Sequence, residues 1–513
     1  MNSRKTLIKV SEYHDSVSLM ALAQQLARLP GLNDAAVVMA TAANKELLKQ
    51  AGLLTGEAEA ASANDLVIAV SGESEALDRA LGQAEVLLQK KTASQDTGEF
   101  RPKSLRGAFK AHPEANLAVI SVAGRYAAGE AWEALQNGLH VLLFSDNVSI
   151  EDEIALKHYA VAHGLLLMGP GAGTAILNGV ALGFANVLPH GPVGIVSAAG
   201  TGLQEVSCLL ARQGIGITQG IGTGGRDLKA EVGGLMMLAS LMALQADLET
   251  RVILLVSKPP AATVADKILA QIGQGEKPAV VCFLGGDPVA IQSVPNALAA
   301  PTLEQAAHLA ACLAAPGLQH NQAADWSQDF IAQQRAGLQS SQRYLRALYS
   351  GGTLCYEAQV IWQELLADPV HSNAPLRGIN RLPDSTHSIG HSAVDLGEEE
   401  FTVGRPHPMI DHDLRIRRIL QEAQDPATAL IVLDVVLGYG AHPDPAAELG
   451  PAVRKARSLA AEAGRELIVV ASVTGVEEDP QCLSRQVQAL EQAGVVVCSS
   501  NAAAARLAAA LVS

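Results

Sequence analysis

The residues best placed to do chemistry lie in glycine turns that follow short apolar runs. Gly191-Pro-Val-Gly-Ile-Val-Ser-Ala-Ala-Gly-Thr-Gly-Leu-Gln-Glu205 passes from an apolar run through small residues into helical spacing. Strand, glycine turn and helix in that order aim free backbone N–H groups and a helix dipole at an anion. A second turn, Gly220-Ile-Gly-Thr-Gly-Gly-Arg-Asp227, follows a second short strand. A third, Ser350-Gly-Gly-Thr-Leu-Cys355, opens another helix. Ser197, Gly200, Thr201 and Gly202 are candidate phosphate ligands, and Gly351, Gly352 and Thr353 form a turn of the same kind. Ordinary strand-to-helix turns fit the same pattern, because a lone glycine turn is a weak motif.

Titratable residues flank these turns. Arg226 directly follows Gly224 and Gly225, and its fork suits a carboxylate or a phosphate. An ion pair with Asp227 is the bland alternative. Glu205 stands in a first helical turn, where the dipole favours a carboxylate. His407, fixed between Pro406 and Pro408, is the best general acid–base candidate, with Asp411 near enough to orient its ring. His442 is a second candidate, and Lys258 at a strand end is a candidate anion contact. Cys355 opens a helix, where a thiolate is stabilised, although a small buried residue fits as well. His387, His391, His407, His412 and His442 match no zinc spacing, so no metal is expected. His14 and Asp15 read as a helix cap sooner than as ligands.

These residues need a large scaffold. At 513 residues the chain exceeds one core, and about three or four domains are expected. Hydrophobic residues make up 49% and aromatics only 3%, a balance that suits parallel sheets covered closely by helices. The net charge of −15 argues against nucleic acid as a partner. The amino-terminal residues lack a signal-peptide core. No run reaches roughly 18 apolar residues, so no membrane span is expected. The six cysteines are scattered without a Cys-x-x-Cys pair, which reads as reduced thiols in cytoplasm.

The expected fold class is α/β, with several doubly wound, Rossmann-like or flavodoxin-like parallel sheets. A small α/β domain spans 1–92, and a polar linker runs from 91 to about 110. A Rossmann-like domain spans 111–190, with Ser145-Asp146-Asn147 and Gly169-Pro-Gly-Ala-Gly-Thr174 at strand ends. A flavodoxin-like domain spans 191–316, a connecting helix lies in 317–340, and a last α/β domain spans 341–513.

At this point the motifs resemble a known family. The stretch 117–283 is similar to the α subunit of succinyl-CoA synthetase. The resemblance rests on Gly169-Pro-Gly-Ala-Gly-Thr, Gly194-Ile-Val-Ser-Ala-Ala-Gly-Thr-Gly-Leu-Gln-Glu205, Gly220–Asp227 and Lys277-Pro. Residues from about 349 resemble the carboxy-terminal domain of its β subunit, through Gly351-Gly-Thr-Leu and Asp395-Leu-Gly. An α-like body followed by a β-like tail in one chain is similar to the FdrA family, commonly labelled acyl-CoA synthetases. That architecture implies two helix starts facing one phosphoryl group, here Ser197–Gly202 and Gly351–Leu354. The carrier histidine of the synthetases has no counterpart in Gly285-Gly-Asp-Pro-Val-Ala-Ile-Gln-Ser-Val-Pro-Asn-Ala297. Residues 317–349 are too few for an ATP-grasp domain. The resemblance therefore implies a site for a preformed acyl phosphate, with carbamoyl phosphate as a substrate. FdrA proteins are linked to oxamate carbamoyltransferase in purine-ring catabolism, acting with other subunits. The alternatives are an acyl-CoA ligase or CoA-transferase subunit, for which CoA binding is possible, and a non-catalytic scaffold. Partner subunits, a homo-oligomer or both are expected.

Overall fold

The computed structural model describes the chain apart from residues 1–2, 11, 13–18, 20–21, 24, 27–28, 42–43, 46–47, 50, 64, 95–101, 103, 318–325 and 403–405, and apart from the side chains of 89–94. His14, Asp15 and Arg405 lie outside the described residues. The chain divides into two compact units, 1–102 with 399–406, and 103–398 with 407–513.

The first unit departs from the expected parallel pattern. Its strands Ser3–Lys9, Leu66–Gly72 and Leu32–Met39 form a three-stranded sheet in that order, and both pairings are antiparallel. The helix Ser74–Ser94 supplies Leu77, Ala80, Leu81, Ala84 and Leu88 to a core shared with Leu66, Ile68 and Val70. The central strand alternates its faces, so Val67 and Ala69 serve a second small core with Leu48 and Leu53.

The second unit carries three parallel arrays. Leu117–Ile120, His140–Leu143 and Leu167–Met168 make a small parallel sheet. Next comes a seven-stranded sheet in the order Ala297–Ala299, Ala279–Phe283, Val252–Ser257, His190–Ser197, Ile217–Gly222, Thr174–Leu177, Val180–Gly183. The last two strands are an antiparallel hairpin that pairs with Ile217–Gly222. The expected boundary at 190/191 therefore moves back to about 173. The hairpin had no visible periodicity, because four-residue strands are too short to show one.

The five parallel strands of this sheet have the flavodoxin order, and His190–Ser197 and Val252–Ser257 flank its switch point. The six-stranded sheet runs Val370–Ser372, His391–Asp395, Tyr344–Tyr349, Thr428–Val436, Ile468–Thr474, Val496–Cys498, all parallel. Its switch point lies where Tyr344–Tyr349 separates His391–Asp395 from Thr428–Val436. Ligands of such sheets bind at the carboxyl ends of strands at the switch point. Those ends are Ser197 and Ser257 in one sheet, and Tyr349, Asp395 and Val436 in the other.

One apolar core joins the two larger sheets. Val193, Ile195, Val206, Leu210, Ala306 and Ala310 pack in the same cluster as Leu354, Ala358, Trp362, Ala505 and Ala508. Many of the contacts are alanines, which lets helices approach closely and gives each substitution little room. No helix among the described residues is long and apolar enough to cross a membrane.

Candidate functional site

Two helix starts meet at the switch points. The helix Gly200–Arg212 begins three residues earlier than its apolar spacing suggested, so Gly200, Thr201 and Gly202 are its first turn. The helix Gly352–Leu365 is preceded by Gly351 as its N-cap. A methyl group on Gly351 would lie 2.9 Å from both Cγ2 and Oγ1 of Thr201. A methyl group on Gly202 would lie 2.9 Å from Cγ2 of Thr353. Each threonine thus seats against a glycine of the facing turn, and only glycine permits the approach.

The first three N–H groups of a helix have no intrahelical acceptor. Those of Gly200, Thr201 and Gly202, and of Gly352, Thr353 and Leu354, have no other acceptor among the described residues. Two positive dipole ends therefore abut with unpaired donors, an arrangement that favours negative charge. The remaining turn residues are committed to the scaffold. Ser197 donates to Ala199 O at 2.7 Å and accepts from Ala199 N at 3.1 Å, so its hydroxyl shapes the turn. Thr223 N donates to Ser197 O at 2.8 Å, which fixes the second glycine turn beside the first. Gly224 has φ +85° and admits Pro170 O to 2.5 Å from where a methyl would stand, while Gly225 faces Ala198 O at 3.8 Å.

The second helix start is braced by acids that the motif reading passed over. Asp434, fully buried, accepts from Ser350 N at 2.7 Å, Gly351 N at 2.8 Å and Ser350 Oγ at 3.0 Å. Arg415 pairs with it at 2.6 Å and also donates to Leu348 O at 2.9 Å. Asp395 closes the neighbouring strand. Its Oδ1 accepts from Gly397 N at 2.9 Å, and its Oδ2 lies 2.5 Å from the position of a methyl on Gly352. Burial pushes the Asp395 carboxyl up to about 7, and Lys258 opposes that shift. Lys258 is half-buried, stands 5.4 Å from the Tyr356 ring centroid and has no ion pair among the described residues. It also acts on Cys355, but burial raises that thiol, so Cys355 is a core residue and no thiolate.

His407 reaches the same place. A methyl on Gly397 would meet His407 Nε2 at 2.9 Å, Ser350 O at 2.9 Å and Asp395 Oδ1 at 3.1 Å. His407 Nδ1 accepts from Met409 N at 3.3 Å, which leaves the proton of the neutral ring on Nε2. Burial lowers its pKa to about 4, so the ring is neutral at physiological pH and serves as a hydrogen-bond donor. Asp411, one residue before the N-cap His412 of the helix Asp413–Gln424, accepts from Asp413 N at 2.8 Å.

Three expected site residues are employed elsewhere. Arg226 pairs with Glu153 at 2.8 Å and donates to Val148 O at 2.8 Å. Its partner is Glu153 rather than Asp227, whose oxygens hold Lys157 and the N–H groups of Met236 and Met237. Glu205 is buried and turned away from the turns, accepting from Thr474 Oγ1 and, at 3.0 Å, from Asn501 N. It caps the helix Asn501–Val512 and so ties the two larger sheets together. His442 accepts from Asp444 N at 3.1 Å and lies 3.5 Å from Glu448. Its ring is 5.1 Å from that of His412. No group of three or more potential metal ligands occurs among the described residues.

Sequence comparison sets this architecture beside known proteins. Residues 348–511 match the family described as CoA-ligase, and residues 1–103 match "AllF, heavy metal-associated domain". The first cysteine of the chain is Cys208, so the matched amino-terminal region holds no thiol for a soft metal. The uncharacterized protein YahF of Escherichia coli K12 is 46% identical over 97% of this chain and 96% of its own. The ADP-forming sulfoacetate-CoA ligase subunit SauD of Bilophila wadsworthia is 24% identical over 36% of this chain and 63% of its own. The α subunit of an ADP-forming succinate–CoA ligase of Staphylococcus epidermidis is 28% identical over 34% of this chain and 57% of its own. By its near full-length match to YahF, its AllF-type amino-terminal domain and its CoA-ligase carboxy-terminal region, the chain belongs to the FdrA family of succinyl-CoA synthetase-like proteins.

Proposed function

We propose that this chain is an acyl-transfer subunit that takes an acyl phosphate between the helix starts at Gly200 and Gly352. The observation that supports it is the pair of abutting first turns, each with unpaired N–H donors. Thr201 and Thr353 border that position, and Lys258 adds a cation to it. The acyl carbon then lies toward the Nε2–H of His407, where a hydrogen-bond donor stabilises charge developing on the carbonyl oxygen.

Two acceptors suit this site. An amide such as oxamate makes the chain part of a carbamoyltransferase that uses carbamoyl phosphate. The lack of a carrier histidine in 285–297 favours that reading, since a preformed acyl phosphate needs no phosphohistidine. Coenzyme A as acceptor makes it an acyl-CoA ligase subunit whose nucleotide-binding part is on another chain. The CoA-ligase match and the names of the relatives favour this second reading.

Calorimetric titration of the full chain with carbamoyl phosphate, coenzyme A and ATP tests both. Saturable binding of carbamoyl phosphate, lost in Thr201→Asp and Thr353→Asp, supports the acyl-phosphate site. Coenzyme A binding alongside it selects the ligase, and its absence selects the carbamoyltransferase. Failure of carbamoyl phosphate to bind overturns the site.

A further inference from the structure

A carboxyl group stands where the proposed site calls for donors. Asp395 is 3% exposed, and its Oδ2 has no hydrogen-bond partner among the described residues. That atom lies against Gly352, the first residue of a helix whose leading N–H groups are also unpaired. Gly397 N holds the other oxygen, so the carboxyl cannot swing out without losing that bond. An ionised Asp395 next to a phosphate would place like charges in contact, which strongly disfavours both being ionised.

We infer that Asp395 is a binding residue of the anion site in its protonated form, sharing one proton between Oδ2 and an oxygen of the bound phosphate. The inference rests on the acyl-phosphate reading above. A carboxylic acid kept neutral in a buried site is a good hydrogen-bond donor. The surroundings are consistent with that state, because burial already holds the carboxyl near 7 in the free protein. The charged and titratable groups that face it are Lys258 from the strand end Val252–Ser257, Cys355 from the helix behind Gly352, Glu398 beyond its own strand, Asp434 from the next strand, and His407. Lys258 and the hydrogen bond from Gly397 N favour ionisation, while Glu398 and Asp434 oppose it. His407 stays neutral above about pH 5 and adds no titration of its own near neutrality.

The prediction is proton-linked binding. Acetyl phosphate and sulfate are suitable probes, since neither changes charge between pH 6 and 8. If only the protein with a protonated Asp395 binds, the affinity of wild type falls about tenfold from pH 6 to pH 8. Calorimetry at pH 8 in two buffers of different ionisation enthalpy then shows nearly one proton taken up per anion. Asp395→Asn, which keeps the shape and stays neutral, removes both the uptake and the pH dependence. Lys258→Met retains them and moves the midpoint to higher pH. Wild-type binding without proton uptake, or uptake unchanged in Asp395→Asn, overturns the role of Asp395 and leaves the anion site standing. No binding of either probe to wild type or to Asp395→Asn at any pH overturns the acyl-phosphate reading as well.

Discussion

The two helix starts that meet in this protein are chemically unlike. At Gly200 the first turn holds no acid within it, and the nearest glutamate, Glu205, faces away to cap another helix. At Gly352 two buried acids stand at the first turn, Asp434 bonding Ser350 and Gly351 and Asp395 lying against Gly352. Bringing two positive dipole ends together costs electrostatic energy unless negative charge lies nearby. The protein meets that cost permanently at one end, and the proposed ligand meets it at the other. In the proposed site a bound phosphate is shared between Gly200–Gly202 and Gly352, within reach of Asp395 Oδ2, and His407 stands on the side of the reacting carbon.

The most damaging way to break this asymmetry is to remove the permanent acid. Asp434→Ala strands Arg415, which is 1% exposed, and frees the N–H groups of Ser350 and Gly351. Breaking one partner from a buried ion pair costs about 3–5 kcal/mol. Urea unfolding followed by far-UV circular dichroism is expected to show that loss, with an unchanged slope. A loss below about 1 kcal/mol would mean that Arg415 has another way to be satisfied.

The contact between the two turns is tested by crowding it. Gly351→Ala puts a methyl 2.9 Å from Thr201 side-chain atoms, closer than van der Waals contact allows. Such overpacking costs about 1–3 kcal/mol. Thr201→Ala removes Cγ2 and Oγ1, so the double variant recovers part of the loss, and the deviation from additivity measures the contact. Strict additivity would show that the turns do not touch in solution.

Glu205 sharpens the comparison from the other side. Glu205→Gln replaces an acceptor with an amide donor facing Thr474 Oγ1 or Asn501 N. One buried group is then left unpaired, at about 1–3 kcal/mol. Affinity for carbamoyl phosphate is expected to stay within twofold of wild type, because the carboxylate is not part of the anion site. A large affinity loss with intact stability would return Glu205 to the ligand.

The sequence made the glycine turns legible because their meaning is local. A strand, small residues and a helix follow one another, and the dipole argument needs nothing more. The strand ends that carry Lys258 and Asp395 were likewise visible as motifs, although only Lys258 was read as chemistry. What could not be read is which side chains point inward together. Asp434 sits inside an apolar strand, Thr428–Val436, with nothing in its spacing to separate it from a stray buried acid. Arg415 belongs to a helix whose polar residues look solvated, and only tertiary packing shows it to be buried. The partners of Arg226 and Glu205 were hidden for the same reason. Both stand beside glycine turns in sequence, yet their partners Glu153, Thr474 and Asn501 come from 73 or more residues away. Motif proximity identifies the backbone donors well and the side-chain acids poorly, since backbone geometry is local and charge compensation is not.

The smallest expected effect concerns the neutral ring at the second helix start. His407 is held well below its ordinary value of 6.5, at about 4, by burial. The unfolded chain therefore binds a proton that the folded protein refuses, and stability falls as pH drops from 6.5 toward 4. His412, lowered by burial to about 3, contributes in the same direction. Asp395 runs the opposite way, since its raised carboxyl gives the folded protein stability that is full below its ordinary value of 3.8 and is lost as pH rises from there to about 7. Comparing His407→Gln with wild type isolates the one ring, because the other two groups are common to both. Allowing for solvent screening at a half-buried side chain, about 1 kcal/mol of the wild-type loss between pH 7 and pH 5 should vanish in the variant. Urea midpoints at the two pH values provide the measurement. An identical pH dependence in both proteins would place His407 in solvent, and the donor at the reacting carbon would have to be sought in Lys258 instead.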